Sequence, residues 1–217
     1  MEKLKYAHRV KNIGNKSLNL YKVKNLGLNV APGIILTEKD LLGIDNLDLS
    51  SIYYKNSAVR SSAVGEDGLN NSFAGIFTSI LGVKQKDLKE SIKTVYESFF
   101  SRRSEVYQNL KKVKITPQIL IQNMVDTKVS AVAFVKNDYI EVNWFRGSCE
   151  NIVSGKVNTN ELIIDRGHFL NEYPEDSKMD KFVFLLEKLY SHFQYDLDVE
   201  LAFNGKEWYV LQVRKLS

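Results

Sequence analysis

The chain has 217 residues, of which 44% are apolar and 26% are charged. The apolar share is enough for a sizeable core, in one domain or in two small lobes that share a cleft, and the ordinary charged share argues against disorder. The formal net charge of +4 suits an anionic ligand such as a nucleotide triphosphate and is too small to indicate nucleic acid as a partner. A single cysteine, Cys149, excludes an internal disulfide, and no signal peptide or apolar run of membrane-spanning length is visible. We therefore expect a cytoplasmic protein without a membrane partner.

The first half of the chain mixes helical and strand patterns with loops. An amphipathic pattern predicts a helix over 16–26 that ends at Gly27, a favourable residue after a helix. Pro32-Gly33 predicts a turn before a short strand, and Thr37 with Asp40 has the spacing of a helix capping box. We further predict a strand over 57–60, a long loop over 61–75, and helices over 87–100 and 102–112.

The second half is richer in short strand patterns. Several β-rich runs joined by tight links predict an antiparallel meander, and Asn204-Gly205 predicts the turn of a closing hairpin. The predicted strands cover 118–125, 129–136, 139–144, 162–165, 197–203 and 208–213, with helices over 150–155 and 180–193. The predicted fold class is therefore α+β, with an N-terminal lobe over 1–115 and a sheet-rich C-terminal lobe over 116–217.

The segment 57–82, SAVRSSAVGEDGLNNSFAGIFTSILG, carries the clearest chemical signal. Its strand brings Arg60, Ser61 and Ser62 to the start of a loop that contains glycines. An arginine can hold a phosphate with two hydrogen bonds, while hydroxyl groups and loop amides add neutral donors. A phosphate-binding loop is one interpretation, and an ordered surface loop in which Arg60 pairs with Glu66 or Asp67 is the other.

The terminal hairpin collects polar groups that are costly to bury without partners. Asp198 and Glu200 share one face of the first strand, and Gln212 and Arg214 share one face of the second. Carboxylate and amide oxygens are hard ligands that suit Mg²⁺. A metal site is one interpretation of this hairpin, and an exposed hairpin with a salt bridge is the other.

The register of this hairpin follows from the position of its turn. With the turn centred on Asn204-Gly205, residue i is expected opposite residue 409 − i. Glu200 should then lie almost opposite Tyr209, and Asp198 opposite Leu211.

Taken in order, these segments resemble the ATP-grasp nucleotide-binding domain of the phosphoenolpyruvate synthase and pyruvate phosphate dikinase family. The family patterns V-R-S-S-A, E-D and S-F-A-G are present at 59–63, 66–67 and 72–75. The family patterns G-G-K, P-P-G-F, Q-x-M-V and G-L-G-E-A-V-V-S-G resemble 14–16, 31–33, 122–125 and 147–155. Asn15, Ala131 and Cys149 depart from the family, which has glycine at each of these positions.

The resemblance implies an ATP-grasp fold with two lobes and MgATP in a nucleotide cleft between them. It gives Lys16, Arg60 and Arg214 the task of balancing triphosphate charge, and it gives Glu200 and Gln212 the task of holding Mg²⁺. Lys16 considered alone would be read as a solvated lysine in the first turn of a helix. The other implied nucleotide-binding residues are Ser61, Ser62, Ser72, Gly75, Gln122, Met124, Val125 and Glu150.

Three hypotheses for the function follow from the resemblance. Enzymes of this family convert ATP into AMP and phosphate and pass a phosphoryl group through a histidine on a separate domain, which we do not recognise here. The first hypothesis is a kinase subunit that phosphorylates a histidine on a partner protein or a small-molecule acceptor. The second is an ATP-grasp ligase that forms an acyl phosphate, and the third is a degenerate ATP-binding module that regulates a partner.

Overall fold

The computed structural model describes residues 1–66, 76–147, 159–166 and 178–216. Contacts between Cα atoms divide the chain into two compact units, Met1–Tyr21 with Ala31–Met124 and Lys22–Val30 with Val125–Ser217. The division after Met124 differs from the expected boundary near residue 115, because the strand that follows residue 115 pairs inside the first unit. Among the described residues, no helix is both long and apolar enough to cross a membrane.

The described part of the first unit contains a sheet of five antiparallel strands. Its strands are β1 (Glu2–Lys3), β2 (Gly33–Leu36), β3 (Ser57–Ser61), β4 (Ser79–Val83) and β5 (Ile119–Asn123), in the order β1-β2-β5-β3-β4. β5 was expected in the meander of the second half, but it pairs with β2 on one side and with β3 on the other. Its residues Ile119, Leu120 and Ile121 are completely buried, as is typical of a central strand that is covered on both faces.

Several helices of the first half contribute side chains to an apolar cluster on one face of this sheet. The helices of the first half are α1 (Asn15–Asn25), α2 (Glu38–Leu42), α3 (Leu88–Ser98) and α4 (Arg102–Lys111). α3 buries Leu88, Ile92 and Val95, at the helical spacing seen in the sequence, in one apolar cluster with Val59 and Ile121 of the sheet.

A second antiparallel sheet forms the described part of the second unit. It contains β6 (Val129–Val135), β7 (Tyr139–Phe145), β8 (Asn160–Asp165), β9 (Leu197–Phe203) and β10 (Trp208–Lys215), in the order β10-β9-β6-β7-β8, and it is accompanied by α5 (Lys178–Phe193). The segment 22–30 belongs to this unit because Val30 forms a parallel bridge to Val210 of β10. The predicted strands and the helix over 180–193 are confirmed, whereas the helix predicted over 150–155 lies outside the described residues.

Candidate functional site

The start of α1 lies against the end of β3 at a distance that only glycine allows. A Cβ atom added at Gly14 would stand 1.7 Å from the carbonyl oxygen of Ser62 and 2.9 Å from the carbonyl carbon of Ala63. Gln118 joins the two segments, because its Oε1 accepts from Gly14 N at 3.0 Å and its backbone oxygen accepts from Ser62 N at 2.9 Å. The close approach therefore brings Lys16, two residues after Gly14, beside Ser61 at the end of β3.

Lys16, Ser61 and Glu66 form a buried polar triangle. The Lys16 ammonium forms an ion pair with the Glu66 carboxylate and donates to Ser61 Oγ at 3.1 Å. Ser61 Oγ in turn donates to Glu66 Oε1 at 3.0 Å, and Ala63 N donates to Glu66 Oε2 at 3.0 Å. Glu66 is only 1% exposed, while the Lys16 side chain is 15% exposed. The lysine end of the triangle is thus the part nearest to solvent.

The main chain of Glu66 is also held by its surroundings. Asn15 Nδ2 donates to Glu66 O at 2.9 Å, and Glu66 N donates to Ala63 O at 3.2 Å. Gly65, with a φ of +90°, permits the tight turn that links these residues. The pairing of Arg60 with Glu66 or Asp67 was one expectation for this loop, whereas the carboxylate of Glu66 forms its ion pair with Lys16.

Ser62 has a different environment from the one the family pattern suggests. It is fully buried, its Oγ accepts from Ser17 N at 3.1 Å, and it lies 2.8 Å from Ser17 Oγ. These bonds fasten α1 to the strand, so contact of Ser62 with a phosphate stays a prediction.

Arg60 lies on the face of the first sheet that is opposite to the apolar cluster under α3. Side chains alternate along a strand, so Arg60 and Ala58 of β3 share this face with Leu120 and Gln122 of β5. Arg60 is partly exposed. A guanidinium in this place can reach an anionic ligand on that face of the sheet.

Gln122 carries a buried donor that lacks a partner in the described part of the chain. The residue is 4% exposed, and its Nε2 has no hydrogen-bond partner among the residues that the structure describes. Its cross-strand neighbours are Gly33 and Ala58, and the Gln122 side chain lies over Gly33, where an added Cβ would stand 3.1 Å from Gln122 Cγ. An unsatisfied buried donor costs about 1–3 kcal/mol. A ligand that supplied an acceptor would remove this cost.

The residues after Gln122 were predicted to line an adenine pocket. Met124 N donates to Asn56 O at 3.0 Å, and Asn123 N donates to Pro32 O at 2.9 Å, so both amide groups bond inside the first unit. Val125 begins the second unit, and its carbonyl oxygen accepts from Thr127 Oγ1 at 3.1 Å. Adenine binding by Met124 and Val125 therefore stays a prediction.

In the second unit, a β-bulge sets the register of the hairpin β9–β10. Phe203 pairs with Trp208, and the residues 204–207 form the turn, in which Asn204 Oδ1 accepts from the backbone nitrogens of Lys206 and Glu207. The pairing shifts by one residue between Val210 and Gln212. The predicted register was wrong, because neither the longer turn nor the bulge was anticipated.

The bulge brings four polar residues onto one face of the second sheet. Gln212 lies directly opposite Glu200, and Arg214 lies directly opposite Asp198. Directly opposite residues in an antiparallel pair point to the same side, so the two pairs stand next to each other. If Leu211 were paired as an ordinary strand residue, Gln212 and Arg214 would point to the apolar face that Val210 and Trp208 share.

Asp198 and Arg214 form a partly buried ion pair. Arg214 Nε donates to Asp198 Oδ2 at 2.7 Å, and a second guanidinium nitrogen lies 2.6 Å from the same oxygen. The Asp198 side chain is 9% exposed and that of Arg214 is 30% exposed. The pairing fixes the guanidinium on the face that carries Glu200.

Glu200 and Gln212 fit a magnesium site in which the protein supplies only a few of the ligands. They place a carboxylate and an amide oxygen side by side, and Mg²⁺ is usually held by one or two carboxylates together with waters and ligand phosphates. Among the described residues, no group of three or more His, Cys, Asp and Glu side chains could hold a metal ion. A metal bound here by protein groups would thus depend on Glu200 and Gln212.

Three residues that the sequence assigns to nucleotide binding lie outside the described residues. These are Ser72, Gly75 and Glu150.

Comparison with protein families identifies one matching domain. The family model described as "Pyruvate phosphate dikinase, AMP/ATP-binding domain" matches residues 44–170, more than half of the chain. Arg60 and Gln122 lie inside this match, whereas Lys16 and the terminal hairpin lie outside it.

Curated relatives share part of the chain. The phosphotransferase YvkC of Bacillus subtilis is 28% identical over 72% of this chain, and the phosphoenolpyruvate synthase of Pyrococcus furiosus is 32% identical over 51%. The prodigiosin synthesizing transferase PigC of Serratia marcescens is 31% identical over 50%. The chain spans only 13–24% of the length of these three proteins.

Solved structures match over nearly the whole chain. The D-alanine–D-alanine ligase of Bacillus anthracis, solved in complex with ATP, covers 93% of this chain with a TM-score of 0.56 at 13% identity, using 54% of its own length. The D-alanine–D-alanine ligase of Helicobacter pylori covers 98% with a TM-score of 0.52 at 17% identity, using 60% of its own length. These matches confirm the predicted α+β fold of ATP-grasp type.

Proposed function

Because the chain belongs to the pyruvate phosphate dikinase AMP/ATP-binding domain family, we propose that it binds ATP together with Mg²⁺ and transfers a phosphoryl group from it. The acceptor is a histidine on a partner protein or a small molecule. The observation that carries this proposal is the register of the terminal hairpin, which sets Glu200 opposite Gln212 and Asp198 opposite Arg214.

The charges of the hairpin favour a cation bound next to phosphate. Asp198 and Glu200 are negative and Arg214 is positive, so the group has a net charge of −1 when all three are ionised. Bound Mg²⁺ would neutralise part of the charge on the triphosphate. Glu200 and Gln212 would hold the ion, and Arg214, fixed by Asp198, would contact a phosphate oxygen.

The polar groups of the first unit would hold the phosphates and one further acceptor of the nucleotide. Lys16 and Arg60 supply positive charge, with Ser61 fixing the lysine. The Nε2 group of Gln122 would donate to the nucleotide on the face it shares with Arg60. Positioning and charge stabilisation of this kind provide most of the catalysis in phosphoryl transfer.

Calorimetric titration with ATP, with and without Mg²⁺, tests the metal assignment. We expect binding that requires Mg²⁺ in the wild type and is lost in Glu200→Ala. Glu207→Ala is the matched control, because Glu207 is an exposed carboxylate in the turn of the same hairpin. Binding that is equal in all three proteins would disprove the metal site.

The products of ATP then distinguish the types of reaction. AMP and phosphate would support transfer of the dikinase type, whereas ADP and phosphate would support a ligase that works through an acyl phosphate. MgATP binding without turnover in any mixture with partner proteins would indicate a regulatory module.

A further inference from the structure

Glu66 is a buried carboxylate with the same sign of charge as the phosphates that the first unit is proposed to bind. Both of its oxygens are engaged inside the protein, one by Lys16 and Ser61 and the other by Ala63 N. A carboxylate that is 1% exposed would be strongly destabilising without a compensating charge, and the Lys16 ammonium provides that charge.

The triangle restricts a side chain that is otherwise flexible. A lysine has four rotatable side-chain bonds, and an unbound ammonium samples many positions. Here the ammonium is held at Ser61 Oγ and at the Glu66 carboxylate at the same time, and these two groups are bonded to each other. Its position is therefore defined before any ligand arrives.

Asn15 extends this arrangement from a position where the family pattern has glycine. Its Nδ2 donates to Glu66 O at 2.9 Å, so consecutive residues of α1 hold the main chain and the side chain of Glu66. A glycine could not form this bond, because it has no side chain. The substitution at residue 15 thus strengthens the link between α1 and Glu66 in this protein.

We propose that Glu66 is a positioning residue that acts through Lys16, holding the ammonium where a phosphate of ATP is bound. Glu66 itself does not touch the nucleotide, and Asn15 supports it. The inference rests on the proposed binding of ATP by Lys16.

A double-mutant cycle on ATP binding tests whether Glu66 acts through Lys16. Glu66→Gln keeps the size of the side chain and removes its charge, and Lys16→Met removes the ammonium and keeps the stem. We expect Glu66→Gln alone to weaken ATP binding about tenfold, the equivalent of 1.4 kcal/mol. In the Lys16→Met background, the same substitution should change the affinity less than twofold. Asp45→Asn is the control, since it breaks the exposed pair with Lys93 in the same unit and should leave ATP binding unchanged.

The reactivity of the Lys16 amine gives a second measurement that does not depend on ATP. Labelling with an amine-reactive ester, mapped by mass spectrometry of peptides, should be several times faster at Lys16 in Glu66→Gln than in the wild type. Asn15→Ala should show a smaller increase in the same direction. This comparison decides the matter if Lys16→Met does not fold.

Each outcome bears on the proposal in a defined way. Faster labelling together with a loss of affinity that disappears in the Lys16→Met background supports it. Equal losses of affinity in both backgrounds, or unchanged labelling, would show that Glu66 serves the fold alone. If the wild type does not bind ATP, the proposed function is wrong. Faster labelling of Lys16 in Glu66→Gln would then show only a structural ion pair, and the positioning role would be overturned as well.

Discussion

Replacing Gly14 with alanine would force apart two backbone segments that the candidate site needs in contact. The new Cβ would lie 1.7 Å from the Ser62 oxygen, whereas Cβ atoms in proteins essentially never come closer than 3.0 Å to such an atom. The obstacle is backbone on both sides, so no side-chain rotation can relieve it. The segment that carries Gly14 must therefore move away from the end of β3.

The expected loss of stability follows from what this movement breaks. Overpacking of a well-packed region costs about 1–3 kcal/mol. The bonds from Gly14 N to Gln118 Oε1 and from Ser17 N to Ser62 Oγ are buried, and each contributes about 1 kcal/mol. We expect a total of about 3–5 kcal/mol, which lowers the melting temperature of a protein of this size by roughly 6–20 °C.

Thermal unfolding followed by circular dichroism, together with ATP titration, measures the effect. The matched control is Gly43→Ala, where a Cβ would find its nearest neighbour at 3.8 Å and the φ angle of −101° suits alanine. The control should melt close to the wild type and bind ATP normally. If Gly14→Ala melts within about 2 °C of the wild type, the reasoning from this contact is wrong.

Three further predictions concern the other polar groups. Gln122→Met removes the buried donor that has no partner in the part of the chain that the structure describes. The ligand-free protein should therefore unfold at the same or a slightly higher temperature, while calorimetry shows weaker ATP binding; tighter binding would contradict a ligand role. Asp198→Asn weakens the ion pair with Arg214 and should lower the free energy of unfolding in urea by about 1–3 kcal/mol, and an unchanged midpoint would show that the pair contributes nothing. Burial raises the pKa of the Asp40 carboxyl, but hydrogen bonds from the N-terminal ammonium and from Thr37 outweigh burial and leave the pKa below its usual value. Because the pKa of Asp40 is lower in the folded state, its stabilisation is present above the unfolded pKa of about 3.9 and is lost as the pH falls through the folded pKa. Asp40→Asn should therefore lower the free energy of unfolding at pH 7, and this difference from the wild type should disappear in strong acid.

The sequence predicts where the strands and helices of this protein lie better than it predicts which strands pair with each other. The runs that became β5, β9 and β10 are visible in the alternation and β-branched content of the chain, which is local information. The assignment of β5 to the second half failed because strand partners depend on contacts between residues far apart in the chain. Its neighbours β2 and β3 lie more than fifty residues away in sequence.

The candidate site shows the same limit. The residue types of the hairpin left a metal site and a salt bridge open, and only the family resemblance favoured metal and phosphate roles. The register depends on the bulge, which leaves no clear mark in the sequence. Gln118 was missed altogether, since its bonds to Asn12 and Gly14 join residues more than one hundred positions apart. The ion pair between Glu66 and Lys16 was not anticipated for a similar reason, because Lys16 lies 50 residues before Glu66.

The bulge in β10 makes the chemistry of the hairpin depend on a count of residues rather than only on their identity. Leu211 is the additional residue of the bulge, so a chain that lost it would still place Gln212 opposite Glu200 and Arg214 opposite Asp198. A chain that lost Val213 would instead send the guanidinium of Arg214 to the opposite side of the sheet. The turn over 204–207 is under no such restriction, since length changes there need not alter the pairing of the strands. In comparing relatives, a single-residue gap at Val213 is therefore a sign of lost function even where every polar residue is retained, whereas a gap at Leu211 or in the turn is not.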